Sequence, residues 1–231
     1  MSSGRSDRSA GSVGDFPLDL YDPVYGQPLP ALTRTTTHDS ERLESYAFYL
    51  QDQIELTTRL KAQLGARLER FEQSYVDKRP GAEDWDQAHN AVSPRLGLIY
   101  DLSDELAVFA NTSRSFKPNR GADRLGDAFD PEQGVAHEVG IKYEPRSIDG
   151  FIQLSAYQID QDNMLTNDRD DPSLSVQSGS VRSRGVELEG KVNVTDNLSV
   201  LAAVSRNQIK WRSINDGREG RTLAMQPPLT A

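Results

Sequence analysis

The sequence predicts an all-β protein: an antiparallel up-and-down meander of about eight strands with the asymmetry of an outer-membrane β-barrel. Three observations carry that expectation. Long segments alternate apolar and polar residues with period two, the pattern of a strand with two different faces. The connections between them alternate strictly, short then long. No run of about 18 apolar residues exists, so a helical membrane span is excluded while a barrel is not.

From about Thr36 the segments follow in order. Along Tyr46–Leu56, Tyr46, Phe48, Leu50, Ile54 and Leu56, interrupted only by Asp52, alternate with Ala47, Tyr49, Gln51, Gln53 and Glu55. After Thr57-Thr58-Arg59 comes Leu60–Arg70, where Leu60, Ala62, Leu64, Ala66 and Leu68 oppose Lys61, Gln63, Gly65, Arg67 and Glu69. A helix would mix these sets on every face. Leu96–Leu102 meets Leu106–Arg114 across Ser103-Asp104-Glu105, and Val135–Glu144 meets Phe151–Asn163 across Pro145–Gly150. Val186–Val194 meets Leu198–Arg206 across Thr195-Asp196-Asn197, with Val186, Leu188, Gly190, Val192 and Val194 on one side and Glu187, Glu189, Lys191 and Asn193 on the other.

Between these hairpins lie polar stretches: Val76–Ala91, Lys117–Gly134, Thr166–Ser173 and Ser213–Gln226. Short turns on one edge and long loops on the other are the asymmetry of an outer-membrane barrel. Phe151–Asn163 changes phase, with Ile152, Leu154 and Ala156 on one face and Tyr157 and Ile159 on the other, which calls for a bulge. Tyr46, Tyr100, Tyr143 and Trp211, near strand ends, stand where an interfacial aromatic girdle or ordinary edge packing belongs. Residues 1–35 read as a disordered or extracellular-loop segment, and 36–231 as partial barrel.

Composition narrows the function. The 26 basic against 35 acidic residues give a net charge of −9, which disfavours nucleic acid as a partner. Hydrophobic residues make up 36% and mean hydropathy is −0.63, low averages that a barrel with one wet face tolerates. The absence of cysteine removes disulfides and thiolate metal sites. Met1–Gly14 has no apolar core and does not read as a secretory signal.

No enzyme constellation is visible. His38, His89 and His137 are isolated. Asp168-Arg169-Asp170-Asp171 lacks the glycine and distal glutamate of a calcium loop and reads as a solvated loop. Glu187 and Glu189 share a strand face, read as facing the aqueous lumen with Arg182 and Arg184 nearby. Three glycosylation sequons, at Asn111, Asn193 and Asn197, fall in a strand or beside tight turns and read as chance.

The ordered set of short runs carries a resemblance. Tyr21-Asp22-Pro23-Val24-Tyr25-Gly26, Tyr49–Gln53, Gly65–Glu69, Ser113-Arg114-Ser115-Phe116-Lys117-Pro118, Pro131–Gly134 leading to Glu138–Glu144, and Ser178–Gly190 running into Leu198 resemble the TonB-dependent siderophore receptors, specifically the ferrichrome-receptor-like group. The resemblance covers about residues 18–231 and implies that this chain is a slice of a large outer-membrane β-barrel, plugged and of about 22 strands. It further implies capture of a ferric siderophore, expected to be of hydroxamate type, and uptake across the outer membrane driven by the TonB complex. Outer-membrane lipid is the other implied partner, and no resident cofactor or metal is implied. Aromatic and arginine side chains line the extracellular mouth in that family, which points to Tyr21 and Tyr25, before the first strand, and to Arg114 and Phe116 as siderophore contacts.

The family's signal sequence, TonB box, plug and terminal aromatic strand have no counterpart in these residues, so the isolated chain is expected to be inactive as a receptor. The competing reading is a self-contained eight-stranded barrel, structural or ligand-binding. Its interior would need bulky apolar residues, whereas the polar faces here carry Lys, Glu, Gln and Arg.

Overall fold

The computed structural model describes residues 2–13, 21, 32–81, 84–123, 125, 127–171, 174–223 and 227–230. It is one antiparallel sheet in which each strand pairs with its neighbour in sequence. In chain order the strands are β1 (Ser2–Val13), β2 (Leu32–Glu55), β3 (Leu60–Asp77), β4 (Trp85–Asp101), β5 (Leu106–Lys117), β6 (Glu132–Tyr143), β7 (Gly150–Asn167), β8 (Ser175–Thr195), β9 (Leu198–Ser213) and β10 (Leu229–Thr230).

The meander is as the sequence predicts, with two strands more than expected. Ser2–Val13, read as disordered or loop, pairs with β2 from Ser2↔Ser45 to Val13↔Leu32. Backbone pairing to a long partner orders it despite a composition rich in Ser, Arg and Asp. The strands are also taller: Trp85–Ala91, read as loop, continues β4 against β3.

Each short turn is held by local bonds. Thr57 Oγ1 accepts from Leu60 N at 2.9 Å, and Ser103 Oγ accepts from Leu106 N at 3.1 Å, so a hydroxyl stands in for the missing ladder. The opposite edge carries the long connections, residues 14–31, 78–84, 118–131, 168–174 and 214–228. Gly81 and Gly217 turn the chain there with φ of 77° each, a conformation glycine adopts without steric penalty.

One face of the sheet is oily. Phe48, Leu50, Leu64, Leu68, Leu154, Leu188 and Val200 all stand exposed on it, Phe48 at 64% and Leu50 at 65%. In a barrel wall that face meets hydrocarbon, and it is called the outer face below. Along β2 and its first turn residue it runs from Tyr46 to Leu56, about 33 Å of chain at about 3.3 Å per residue, which at a tilt of about 40° is a band about 25 Å tall.

The upper edge of this band slants across the strands. It lies above Tyr46 on β2, where Glu44 and Arg42 follow, and above Val204 on β9, where Arg206 and Gln208 follow. Register runs from Val204 through Leu188, Leu154, Ile141, Val108, Tyr100 and Leu60 to Leu56, the residue just past the end of β2. The edge therefore drops by the ten residues from Tyr46 to Leu56, about 33 Å, over seven strand spacings of about 4.8 Å, or about 34 Å. A membrane plane slanting so across the ladder implies strands tilted about 44° from the normal, at the top of the roughly 35–45° range of outer-membrane barrels.

Three expectations need correction. The phase change in β7 is not a bulge: pairing with β8 is unbroken from Gly150 to Gln161, and the register shifts come later, between Gln161 and Leu165. The outer face turns polar at Gln158 because β7 leaves the apolar band, while Tyr157 and Ile159 stay on the inner side. Trp211 pairs with Val181 on the inner face under Arg218, 5.9 Å from the ring, so it is no girdle residue. Tyr100 and Tyr143, by contrast, are outward rungs beside the short turns and Tyr46 is outward at the band's upper edge. Finally, Arg182 and Arg184 are not beside Glu187 and Glu189. Even and odd positions of β8 face opposite ways, and the arginines are outside.

Candidate functional site

Phe71, the largest fully buried side chain among the described residues, centres a cluster on the inner face, at the long-loop end of β2, β3 and β4. Odd positions of β3 face inward, and above Glu69 they become Phe71, Gln73 and Tyr75. Their register partners are Ser45, Leu43 and Glu41 on β2 and His89, Gln87 and Trp85 on β4. Phe71 is 1% exposed. Its ring stacks on His89, with centroids 5.3 Å apart, and on Phe116 of β5, 5.7 Å away at 15°. Tyr75 and Trp85 stack as a second pair at 5.3 Å and 11°. Aromatic pairs at these separations gain about 0.5–1.5 kcal/mol beyond the area they bury.

A polar network threads the rings. Arg8 of β1 makes a two-pronged bond to Asp39, 2.9 and 3.1 Å, and the Tyr75 hydroxyl donates to the same carboxylate at 3.3 Å. Burial, together with the Asp39 and Asp77 carboxylates, pushes the Tyr75 phenol up to about 12, and the bond to Asp39 raises the Arg8 guanidinium. Asp77 is held below the ordinary carboxylate range, chiefly by its hydrogen bond from Arg79.

Glu41, 4% exposed, accepts from Gln73, which in turn accepts from Gln87 at 2.6 Å; the Gln87 carbonyl lies 2.8 Å from His89 Nε2. The second Glu41 oxygen lies 3.0 Å from Arg120 Nε yet makes no aligned hydrogen bond. A buried carboxylate oxygen with a cation beside it but no hydrogen bond is incompletely satisfied.

Arg120 belongs to the loop between β5 and β6, which is tied down over this end of the wall. Asn119 donates to the carbonyls of Asp130 and Asn163, each at 2.8 Å. Asn163, at φ 62°, marks the β7 bulge and donates to Pro131 O at 3.1 Å.

Further down, glycines let inner-face rings lie flat on the wall. A Cβ at Gly140 would fall 2.6 Å from Phe109 Cε1, and one at Gly185 would fall 2.6 Å from Tyr157 Cζ. The inner surface is therefore aromatic patches among amides and charges, able to bind a polar ligand through stacking and hydrogen bonds. Among the described residues, no group of three His, Cys, Asp or Glu is placed to hold a metal ion.

Of the four siderophore contacts expected from sequence, Phe116 alone joins this cluster. Arg114 is exposed on the outer side of β5 and bonds to Gln133. Tyr21 is fully exposed, and Tyr25 lies outside the described residues. The sequence reading missed Glu41, Phe71, Tyr75 and Trp85, and read His89 as isolated although it stacks on Phe71. The signal was present, since Trp85, Gln87 and His89 continue the odd phase of Ala91 and Ser93, but this stretch lacks apolar partners to advertise a strand.

With this geometry in place, comparison with known proteins assigns the chain. Residues 4–231 match the family described as TonB dependent receptor-like, beta-barrel, and the chain belongs to that family, whose members are receptors and transporters of the outer membrane. It is 35% identical over 203 residues to a metal-pseudopaline receptor of Pseudomonas aeruginosa, covering 85% of this chain and 28% of the relative. It is 31% identical over 225 residues to the ferrioxamine B receptor of Salmonella typhimurium, covering 96% and 31%. The chain thus spans under a third of the length of these relatives.

The fold agrees. The ferric-catecholate import receptor of Escherichia coli K12 superposes with a TM-score of 0.71 over 91% of this chain and 34% of that one, at 16% identity. The ferric citrate transporter in its unliganded form gives 0.69 over 90% and 32%, at 21% identity.

Proposed function

We propose that this chain is part of the wall of an outer-membrane receptor that takes up a ferric siderophore with energy from the TonB complex. Membership of the receptor family is the observation that carries the reading. The inner cluster of Phe71, Trp85, Tyr75, His89 and Phe116 lies below the long loops, where a ligand entering from outside would meet the wall. Flat aromatic faces and amide donors suit a chelate that presents carbonyl and hydroxamate oxygens. The relatives that receive ferrioxamine and ferrichrome support a hydroxamate ligand.

On this reading the isolated chain does not transport. Both edges of the sheet would leave N–H and C=O groups unpaired in hydrocarbon, at several kcal/mol each.

The test is growth of a receptor-null strain on hydroxamate or catecholate siderophore as sole iron source. A complete receptor carrying this segment should restore growth on the hydroxamate, and the 231-residue chain alone should not. Phe116→Ala with Trp85→Ala should weaken siderophore binding at least tenfold. Growth supported by the chain alone, or unchanged binding by the double variant, contradicts the proposal.

A further inference from the structure

Three buried carboxylates stand on the inner face at the long-loop end, Asp39, Glu41 and Asp77, with side chains 3, 4 and 5% exposed. Two of them are fully served. Asp39 takes both prongs of Arg8 and the Tyr75 hydroxyl. Asp77 accepts from the Arg79 guanidinium at 2.9 Å and from the Arg79 backbone N–H at 3.1 Å. Glu41 differs. One of its oxygens accepts from Gln73. The other is the single buried side-chain oxygen or nitrogen, among the described residues, that has no hydrogen bond. Native proteins seldom leave such an atom unserved, and a charged one costs the most.

Arg120 lies close to that oxygen without serving it. Its Nε is 3.0 Å away, yet no N–H lines up, and its side chain stays more than half exposed. A guanidinium is planar, with its donors in a fixed fork, and the backbone next to it is pinned, since Asn119 is held to Asp130 O and Asn163 O. The side chain can therefore swing away while the loop stays in place. A primary ammonium is a compact charge whose three donors turn freely, and it fits where the fork does not. With Arg120 gone, three acids face two arginines, Arg8 and Arg79, so the place it leaves attracts a cation. Register sets Glu41 opposite Tyr75, and Tyr75 opposite Trp85; aromatic faces favour an ammonium as well.

We infer that Glu41 is a specificity-determining residue that selects a siderophore bearing a primary amine: the ammonium displaces Arg120 and donates to the free Glu41 oxygen. An iron(III) trihydroxamate is itself uncharged, so a pendant amine is the group through which a carboxylate can choose among such chelates. Charge-assisted bonds of this kind are stronger than neutral ones. The inference deepens the siderophore reading of this site and rests on it. Aromatic rings hold the chelate, and Glu41 holds its charged tail.

The experiment titrates the complete receptor carrying this segment, by calorimetry, with a linear iron(III) trihydroxamate ending in a primary amine and with its N-acetylated, neutral derivative. The amine form should bind about tenfold tighter or more, the worth of a hydrogen bond to a charged group. Glu41→Gln should bring the two forms within about twofold of each other while leaving the neutral one unchanged. Arg120→Gln should tighten the amine form about threefold, because the competing cation is gone, and leave the neutral form as it was. Equal binding of the two forms by the parent overturns the inference and leaves the siderophore reading standing. Binding of neither form overturns both. A loss in Glu41→Gln that falls equally on the two forms makes Glu41 a support of the fold, and an Arg120→Gln variant with unchanged affinity for the amine form removes the exchange; either result overturns the inference.

Discussion

At the scale of single residues, the face a side chain occupies decides what a substitution costs. Leu64 stands in the middle of the outer band and its neighbour Gln63 faces inward. Leu64→Arg is expected to lose about 2–4 kcal/mol of barrel stability, and Gln63→Arg under about 1, read as shifts in the urea unfolding midpoint in lipid. Phe71→Ala should cost about 3–5 kcal/mol, as for a large buried ring, because Phe71 supports both His89 and Phe116.

Asp160 makes a prediction in pH. Burial alone would raise its carboxyl, but the bonds from Arg182 and Gln158 outweigh that and hold it below the free-acid range. The stabilisation is therefore present above the ordinary value of about 3.9 and is lost as pH falls through the depressed value. Asp160→Asn should be less stable than the parent at pH 7, and the gap should close in acid. A gap that is constant across this range contradicts the assignment. Asp160 itself was legible only as a polar residue. That it is the hub of two arginines follows from register, which composition does not state.

At the scale of elements, turn length and strand phase were legible because they are local. Leu60–Leu68 and Val186–Val194 announce themselves by alternation with a fully apolar side. The upper halves of the strands do not, since above the band both faces are wet and the period carries no hydropathy contrast. That is why Trp85–Ala91 reads as loop and Ser2–Val13 as disorder, and why a change of environment along β7 mimics a bulge. The element scale also separates the two edges. A ten-residue insertion at Asp170 should leave assembly unchanged in a heat-modifiability assay on gels, whereas the same insertion at Asp196, in a two-residue turn between β8 and β9, should reduce folded barrel several-fold. Gly185→Ala should cost about 1–3 kcal/mol through overpacking, since the new methyl meets the Tyr157 ring and Arg206 O.

At the scale of the molecule, the slant of the apolar band is a property no single strand contains. It emerges when register links Tyr46 on β2 with Val204 on β9, and it yields a strand tilt of about 44°, which polarised infrared dichroism of oriented membranes should reproduce within about 5°. Family membership was legible from motifs scattered along the chain. The inner aromatic cluster was not, because it is assembled from three strands, β3, β4 and β5, that no linear motif joins. The central claim, that this sheet is a lipid-embedded wall oily outside and wet within, is tested most directly by spin labels placed one at a time along Leu60–Leu68 in a membrane-inserted receptor carrying the segment. The account predicts that oxygen accessibility alternates with period two, high at Leu60, Ala62, Leu64, Ala66 and Leu68 and low at Lys61, Gln63, Gly65, Arg67 and Glu69. A flat profile, or one with the opposite phase, contradicts it.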